Sequence, residues 1–129
     1  MIVVDTHAVV WLTQDQTLLS PPARAALAEA RREGKLAIAD ITLREIAFQI
    51  ARGRIRVSSS LEDYVRFIES VYRVLPISSQ IAAQSTKFGP SYPNDPADRL
   101  IGATAVVYGA KLVTKDALIH DSKEVDCIW

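Results

Sequence analysis

Four acidic residues stand where short apolar segments end or where helices are predicted to begin, and acids so placed can hold a metal ion. Asp5 closes the apolar run at 2–4, and Asp116 ends the segment Leu-Val-Thr-Lys-Asp. Glu45 and Asp98 each lie in the first turn of a predicted helix. If these carboxylates meet, each pair about 4 Å apart repels by roughly 4 kcal/mol at an effective dielectric of about 20, so the group needs a counter-ion. Oxygen ligands select a hard divalent cation, Mg²⁺ or Mn²⁺, and such a site predicts metal-dependent phosphodiester hydrolysis.

Each acid also has a purely structural interpretation. The segment Thr42-Leu43-Arg44-Glu45 has the form of a capping box, with Thr42 as the N-cap of a helix and Glu45 three residues later. Asp5 and Asp116 could be turn formers. Taken one at a time, the four acids leave capping and chemistry open as alternatives.

The segment 95-DPAD-98 contains two acids with different expected roles. Asp95 precedes Pro96, and because Pro is favoured at the first position of a helix, Asp95 is the expected N-cap. The residues three, four and seven positions after Asp98 are Ile, Gly and Ala, so its side chain leans over a small apolar stripe that should pack on other elements. An acid above a packing stripe is unusual without a partner, so Asp98 is the predicted metal ligand.

The elements that must position these acids are short apolar strands alternating with helices. This pattern predicts a single α/β domain with a central parallel sheet of about five strands and helices on both faces. In that architecture the carboxyl ends of the strands and the following helix N-termini share one edge, where the acids are expected to converge. Strands are predicted over 2–4, 36–39, 74–77, 111–114 and 125–128, and helices over about 7–13, 21–33, 42–52, 61–72, 78–88 and 96–109.

Composition indicates one ordinary globular domain over 1–129. Hydrophobic residues make up 49% of the chain and charged residues 23%, and 15 basic residues balance 15 acidic ones, so net charge neither favours nor excludes a nucleic-acid partner. One cysteine, Cys127, and two histidines, His7 and His120, cannot form a Cys/His zinc site, and the histidines are expected at the surface or in an interface. No export signal or membrane-length apolar segment is evident, so we expect a cytoplasmic protein.

The chain resembles the PIN-domain ribonucleases and, within them, the toxins of VapC-type toxin–antitoxin pairs. The resemblance covers essentially the whole chain and rests on the order and spacing of short motifs. They are 4-VDTHAVVWL-12, Leu19-Ser20, Ala23-Arg24, Glu45, Gly53-Arg54-Ile55, 95-DPADRLIGATA-105, 112-LVTKD-116 and Trp129.

The resemblance implies a metal-dependent endoribonuclease. Its four acids match Asp5, Glu45, Asp98 and Asp116, which would hold Mg²⁺ or Mn²⁺ while a metal-activated water attacks phosphorus in single-stranded RNA. Thr6 and Thr114 match hydroxyl positions beside the first and last acids. It also implies a homodimer and a cognate antitoxin protein that blocks the acidic site.

Basic residues near the predicted site are candidates for binding the partners. Arg52, Arg54 and Arg99 could contact RNA or the antitoxin, although the segment 52-RGRIR-56 is also typical of a solvated turn. Tyr92 stands near a position where many relatives carry His.

Other classes of function fit the sequence less well. The glycines have neither the GxGxxG nor the GxxxxGK spacing of phosphate-binding loops, and the elbow motif of Ser-His-Asp enzymes is absent. A haloacid-dehalogenase-like phosphatase would need Asp where His7 stands. The remaining alternative is a catalytically silent PIN-like module that binds RNA or protein. The presence of all four acids argues against that module.

Overall fold

The structure is a computed structural model that describes residues 1–129, and strands and helices alternate along the chain. The strands are β1 (Ile2–Val4), β2 (Leu36–Ala39), β3 (Arg73–Leu75), β4 (Lys111–Val113) and β5 (Cys127–Ile128). The α-helices are α1 (Thr6–Gln14), α2 (Pro21–Arg32), α3 (Ile41–Ala51), α4 (Leu61–Val71), α5 (Ser79–Ser85), α6 (Pro96–Val107) and α7 (Ala117–Ser122). No helix combines the length and the apolar character that crossing a bilayer requires.

The five strands form one sheet in the order β3-β2-β1-β4-β5, and every neighbouring pair is parallel. β1 lies at the centre, with Val3 opposite Ala37 on one side and Leu112 on the other. The chain runs outward from β1 to β3 and then returns to place β4 on the other side of β1. The crevice at the carboxyl ends of β1 and β4 is therefore the topological switch point, where α/β proteins bind their ligands.

Hydrophobic cores cover both faces of the sheet, as predicted for strands that are continuous apolar runs. On β1, Val4 faces one core and Val3 the other, and both are fully buried. The first core joins the sheet to α1, α2 and α4, and the second joins it to α5, α6 and α7. The alternating strand residues lock the register of the sheet, because a slip by one residue would exchange the two faces.

The structure differs from the predicted elements in five places, and α5, which ends at Ser85 instead of at 88, is one of them. A 3₁₀ turn at Gln16–Leu18 and helix α7 were not expected, because each is too short to show helical periodicity. β5 is shorter than predicted, since Val125 packs in the second core ahead of the strand. β3 spans Arg73–Leu75 instead of 74–77.

Candidate active site

Asp5 lies at the switch-point crevice and is held by the residues that follow β1 and β4. Its side chain is buried, with 5% exposure. The Thr6 amide donates to Oδ1 over 2.8 Å, and the Thr114 hydroxyl donates to Oδ2 over 2.6 Å. Thr114 directly follows β4, so this second bond ties the acid of β1 to the end of β4. Both predicted hydroxyl residues are thus in place beside Asp5.

Asp116 has a structural role at the start of α7. It is the N-cap of α7, because its Oδ1 accepts hydrogen bonds from the amides of Leu118 (2.9 Å) and Ile119 (3.2 Å). Its own amide donates to the Thr114 hydroxyl over 3.1 Å, so the residue that orients Asp5 also orients Asp116. The capping bonds use Oδ1, and Oδ2 accepts no hydrogen bond from the protein.

Glu45 reaches the site from α3, and its position corrects the predicted capping box. α3 begins at Ile41, one residue earlier than Thr42, and the preceding Asp40 makes no side-chain capping bond. Thr42 is fully buried inside the helix, with its hydroxyl 3.3 Å from that of Thr6. A buried side chain pointing into the core cannot cap the helix from outside, so the Thr42 N-cap prediction is wrong.

The carboxylate of Glu45 instead turns toward α1. Its Oε1 accepts a 2.5 Å hydrogen bond from the Thr6 hydroxyl. Burial raises the pKa of Glu45, the bond from Thr6 opposes that rise, and the negative charges of Asp5 and Asp95 add to it. Thr6 therefore connects two of the predicted ligands, with its amide on Asp5 and its hydroxyl on Glu45.

Asp95 and Asp98 differ as expected from their sequence context. Oδ1 of Asp95 accepts from the amides of Ala97 (2.8 Å) and Asp98 (3.2 Å), which confirms Asp95 as the N-cap of α6. Asp98 is half-buried. The pKa of Asp98 is raised from 3.8 to about 7, first by burial and then by four negative charges, those of Asp5, Asp95, Asp116 and Glu45. The four predicted acids therefore share one electrostatic site, and its negative charge is not neutralised.

The donor chemistry of this site fits a hard divalent cation. None of the four acids forms an ion pair with a Lys or Arg residue. Among them, only Asp5 lies near a basic side chain, that of His7. As the side chains lie, no three Asp, Glu, His or Cys residues are close enough to form a finished metal cage. The oxygen donors would suit Mg²⁺ or Mn²⁺, which keeps part of its water shell when carboxylates bind it.

His7 is part of the crevice, which the sequence did not reveal. We expected it at the surface or in an interface; its side chain is 30% exposed, and Nδ1 lies 3.6 Å from Oδ2 of Asp5. Its Nε2 accepts a 2.9 Å hydrogen bond from the Lys115 amide. Nε2 of His120 lies 2.7 Å from the carbonyl oxygen of Thr114 and donates to it. The two histidines thus hold the segment between β4 and Asp116 from both sides.

Two open grooves flank the acids. One, of about 450 Å³, includes Glu45 and is lined on its outer side by Arg44, Phe48 and Arg54. The other, of about 430 Å³, is lined by four residues: His7, Trp11, Lys115 and Asp116. Each groove therefore begins at one of the predicted metal ligands and leads away from it.

The three predicted arginine contacts lie in different surroundings. Arg52 and Arg54 are exposed; the Arg52 guanidinium lies 4.9 Å from the ring centroid of Phe48, and Arg54 lines the first groove. Arg99 turns inward instead and donates to the carbonyl oxygen of Pro93 over 3.0 Å, with longer bonds to other atoms of 85–94. Arg99 therefore stabilises the loop that precedes α6.

Tyr92 supports the backbone at Asp98. Its ring is 2% exposed and stacks on Phe88 with centroids 4.0 Å apart. Its hydroxyl donates to the backbone carbonyl of Asp98 over 2.8 Å. A Cβ atom at Gly102 would lie only 2.0 Å from this hydroxyl oxygen, so a glycine is required there. Because it is buried, Tyr92 supports the start of α6 and is not available to touch a substrate.

Asp40 is a further acid at the same edge, to which the sequence analysis assigned no role. It follows β2 directly, and its Oδ2 accepts a 3.1 Å hydrogen bond from the Ile77 amide beyond β3. This bond joins the ends of two neighbouring strands. Asp40 therefore stabilises the pairing of β2 with β3.

Comparison with known proteins adds family relationships to this geometry. The family model for the PIN domain matches residues 2–124. The chain is 33% identical over 122 residues to Ribonuclease VapC22 of Mycobacterium tuberculosis, covering 95% of this chain and 92% of that protein.

Solved structures share the fold. VapBC2 from Rickettsia felis, bound to a DNA fragment from their promoter, superposes with a TM-score of 0.75 at 15% identity, covering 98% of this chain and 97% of that one. A toxin–antitoxin complex from Klebsiella pneumoniae gives a TM-score of 0.61 at 23% identity, covering 90% and 87%. At these identities the likeness concerns the fold alone.

Proposed function

Since this chain belongs to the PIN-domain family, among the VapC-type proteins, we propose that it is a metal-dependent endoribonuclease that cleaves single-stranded RNA. The observation that carries the proposal is the convergence of four carboxylates at the switch point without a Lys or Arg partner. A purely structural cluster of acids would be expected to recruit such partners, because unpaired charge in a half-buried site is costly. A site kept negative is suited to a cation that arrives with, or ahead of, a phosphate substrate.

The proposed metal ligands are Asp5, Glu45, Asp98 and Asp116. A bound Mg²⁺ or Mn²⁺ supplies the positive charge that activates water for attack on phosphorus and stabilises the departing oxygen. The protein contributes the orientation of the ligands. Thr6 bonds the carboxylates of Asp5 and Glu45, through its amide and its hydroxyl. The Thr114 hydroxyl bonds the Asp5 carboxylate and accepts from the Asp116 amide, so two threonines link three of the proposed ligands.

The surroundings of the site are suited to a nucleic-acid strand. The exposed Arg52 and Arg54, with Lys115 on the other side of the acids, can neutralise phosphates on either flank of a cleaved bond. The family relationship supports the remaining parts of the proposal, which are a cognate antitoxin, a homodimer and a cytoplasmic location. An antitoxin would inhibit by covering the acids or a flanking groove.

Incubating the purified protein with single-stranded RNA tests the proposal. We expect cleavage with Mg²⁺ or Mn²⁺ and none with excess chelator, and cleavage unaffected by chelator would refute the metal-dependent mechanism. Asp98→Asn should abolish cleavage, whereas the matched variant Asp95→Asn should retain it, because Asn is as good an N-cap as Asp. RNA binding without cleavage under any metal condition would favour the silent binding module instead.

A further inference from the structure

The groove on the Asp116 side contains an aromatic surface that metal binding does not require. His7 and Trp11 are one helical turn apart on α1, and their ring centroids are 4.9 Å apart. Trp129, at the end of the chain, packs against both, with centroids 5.9 Å from Trp11 and 6.1 Å from His7. Two rings from different parts of the chain therefore hold the Trp11 indole in one orientation.

Trp11 also remains accessible. It is only half-buried and lines the open groove of about 430 Å³ with His7, Lys115 and Asp116. The exposed Lys115 ammonium lies 5.6 Å from the Trp11 ring centroid, so a charged group from solvent can approach the indole.

The chemistry of this groove differs from that of the groove beside Glu45. There the aromatic ring of Phe48 is covered by two guanidinium groups, those of Arg44 at 5.0 Å and Arg52 at 4.9 Å. Over Trp11 lies one long, flexible Lys side chain, which can move aside. An aromatic ring packed against neighbouring rings, with a single Lys ammonium near it, is the combination that single-stranded nucleic-acid sites use for base and phosphate.

We propose that the groove of His7, Trp11, Lys115 and Asp116 binds one nucleotide of the RNA strand, with its base stacked on Trp11 and a neighbouring phosphate held by Lys115. The inference rests on the proposed ribonuclease function, because Asp116 belongs both to the groove and to the acid site. A strand whose scissile phosphate lies at the acids would then place an adjacent base on Trp11. His7 and Trp129 are positioning residues that fix the indole.

The first test uses ligands that contain no phosphodiester bond. Adenosine 5′-monophosphate should quench the fluorescence of the wild-type protein in the presence of Mg²⁺, and ribose 5-phosphate should not. The quenching should be lost in Trp11→Leu, although Trp129 remains as a fluorophore. Equal effects of the two ligands, or quenching that persists in Trp11→Leu, would overturn the stacking site.

The second test measures cleavage of single-stranded RNA. Loss of one stacked base is expected to raise the KM of Trp11→Leu by about 5- to 100-fold, and Trp11→Phe should recover part of the loss. Lys115→Met should weaken RNA binding and reduce the slope of log affinity against log salt by about 0.7. An unchanged KM in Trp11→Leu, or an unchanged salt slope in Lys115→Met, would contradict the proposal.

A matched control exists at the opposite edge of the sheet. Tyr108 is an exposed aromatic residue at the far end of α6, with the Arg73 guanidinium 5.9 Å from its ring centroid. Tyr108→Leu should leave both quenching and KM unchanged, and a similar effect there would show that Trp11 has no special role. Base-dependent quenching in a protein that cleaves no RNA would refute the ribonuclease function and leave the nucleotide site standing, so the two failures are distinguishable.

Discussion

Replacing Asp98 by Asn should stabilise the metal-free protein while destroying its proposed activity. The reason lies in the charge of the site, where burial and the neighbouring carboxylates raise the pKa of Asp98 from 3.8 to about 7. The charged carboxylate is therefore unfavourable in the folded state. Asn has nearly the same shape and carries no charge, so the substitution removes the penalty without opening a cavity.

The size of the effect follows from the pKa. A rise of about three units, at about 1.4 kcal/mol each, sets an upper limit of roughly 4 kcal/mol. Asp98 is only half-buried, and screening by solvent reduces this figure to about 1–2 kcal/mol. For a chain of 129 residues, this corresponds to an increase in Tm of about 3–8 °C.

The direction of the pH dependence is also defined. The folded state holds a proton on Asp98 up to about pH 7, whereas the unfolded chain releases it near pH 3.8. The contribution of protonated Asp98 to the free energy of unfolding is therefore fully present at low pH. It is lost as the pH rises from about 4 to about 7. The Tm difference between Asp98→Asn and the wild type should be small at pH 4 and largest at pH 8.

Thermal unfolding followed by circular dichroism, with chelator present, measures these differences. Asp95→Asn is the control, since it keeps the N-cap and should change Tm much less. Added Mg²⁺ should raise the Tm of the wild type and have a weaker effect on Asp98→Asn, because a ligand stabilises only the state that binds it. A Tm of Asp98→Asn below that of the wild type at pH 8, in chelator, would refute the argument.

Three further substitutions test the supports of the site by urea unfolding. Gly102→Ala should destabilise by about 1–3 kcal/mol, because its Cβ would meet the Tyr92 hydroxyl; an unchanged midpoint would mean that Tyr92 moves away freely. Thr114→Val should cost about 1–3 kcal/mol and reduce cleavage, because it removes a hydrogen bond from buried Asp5; wild-type stability and activity together would contradict that role. Tyr72→Phe should be neutral or stabilise by up to about 1–2 kcal/mol, because the buried Tyr72 hydroxyl has no hydrogen-bond partner; a clear loss of stability would show that the hydroxyl is satisfied.

Local features of the sequence were sufficient for most of the strands and helices and for two helix caps. Strands buried on both faces must be continuous apolar runs, and Ser20 or Asp95 followed by Pro marks a helix start. These features act over a few residues, so they are visible without a structure. They fail for α7, which has six residues and whose only long-range support is the burial of Ile119.

Convergence of the four acids was predictable in outline for a related reason. Parallel strands joined by helices bring all their carboxyl ends to one edge, whatever the order of the strands. Asp5, Asp98 and Asp116 could therefore be assigned to one site from their places in the chain. The hydrogen bond between Glu45 and Thr6 could not be predicted in this way. In the sequence, a Glu three residues after a Thr fits a capping box equally well.

The sequence by itself determined which residues are acidic, where the strands and helices lie, and that the strand ends share an edge. Only the tertiary structure decided which side chains meet, because contacts across the crevice depend on β4 lying beside β1. The bonds from Thr114 to Asp5 and from Lys115 to His7 join residues 109 and 108 positions apart. No local propensity encodes such a pairing, and the aromatic groove around Trp11 exists only because the ends of β1 and β4 are neighbours in the folded sheet.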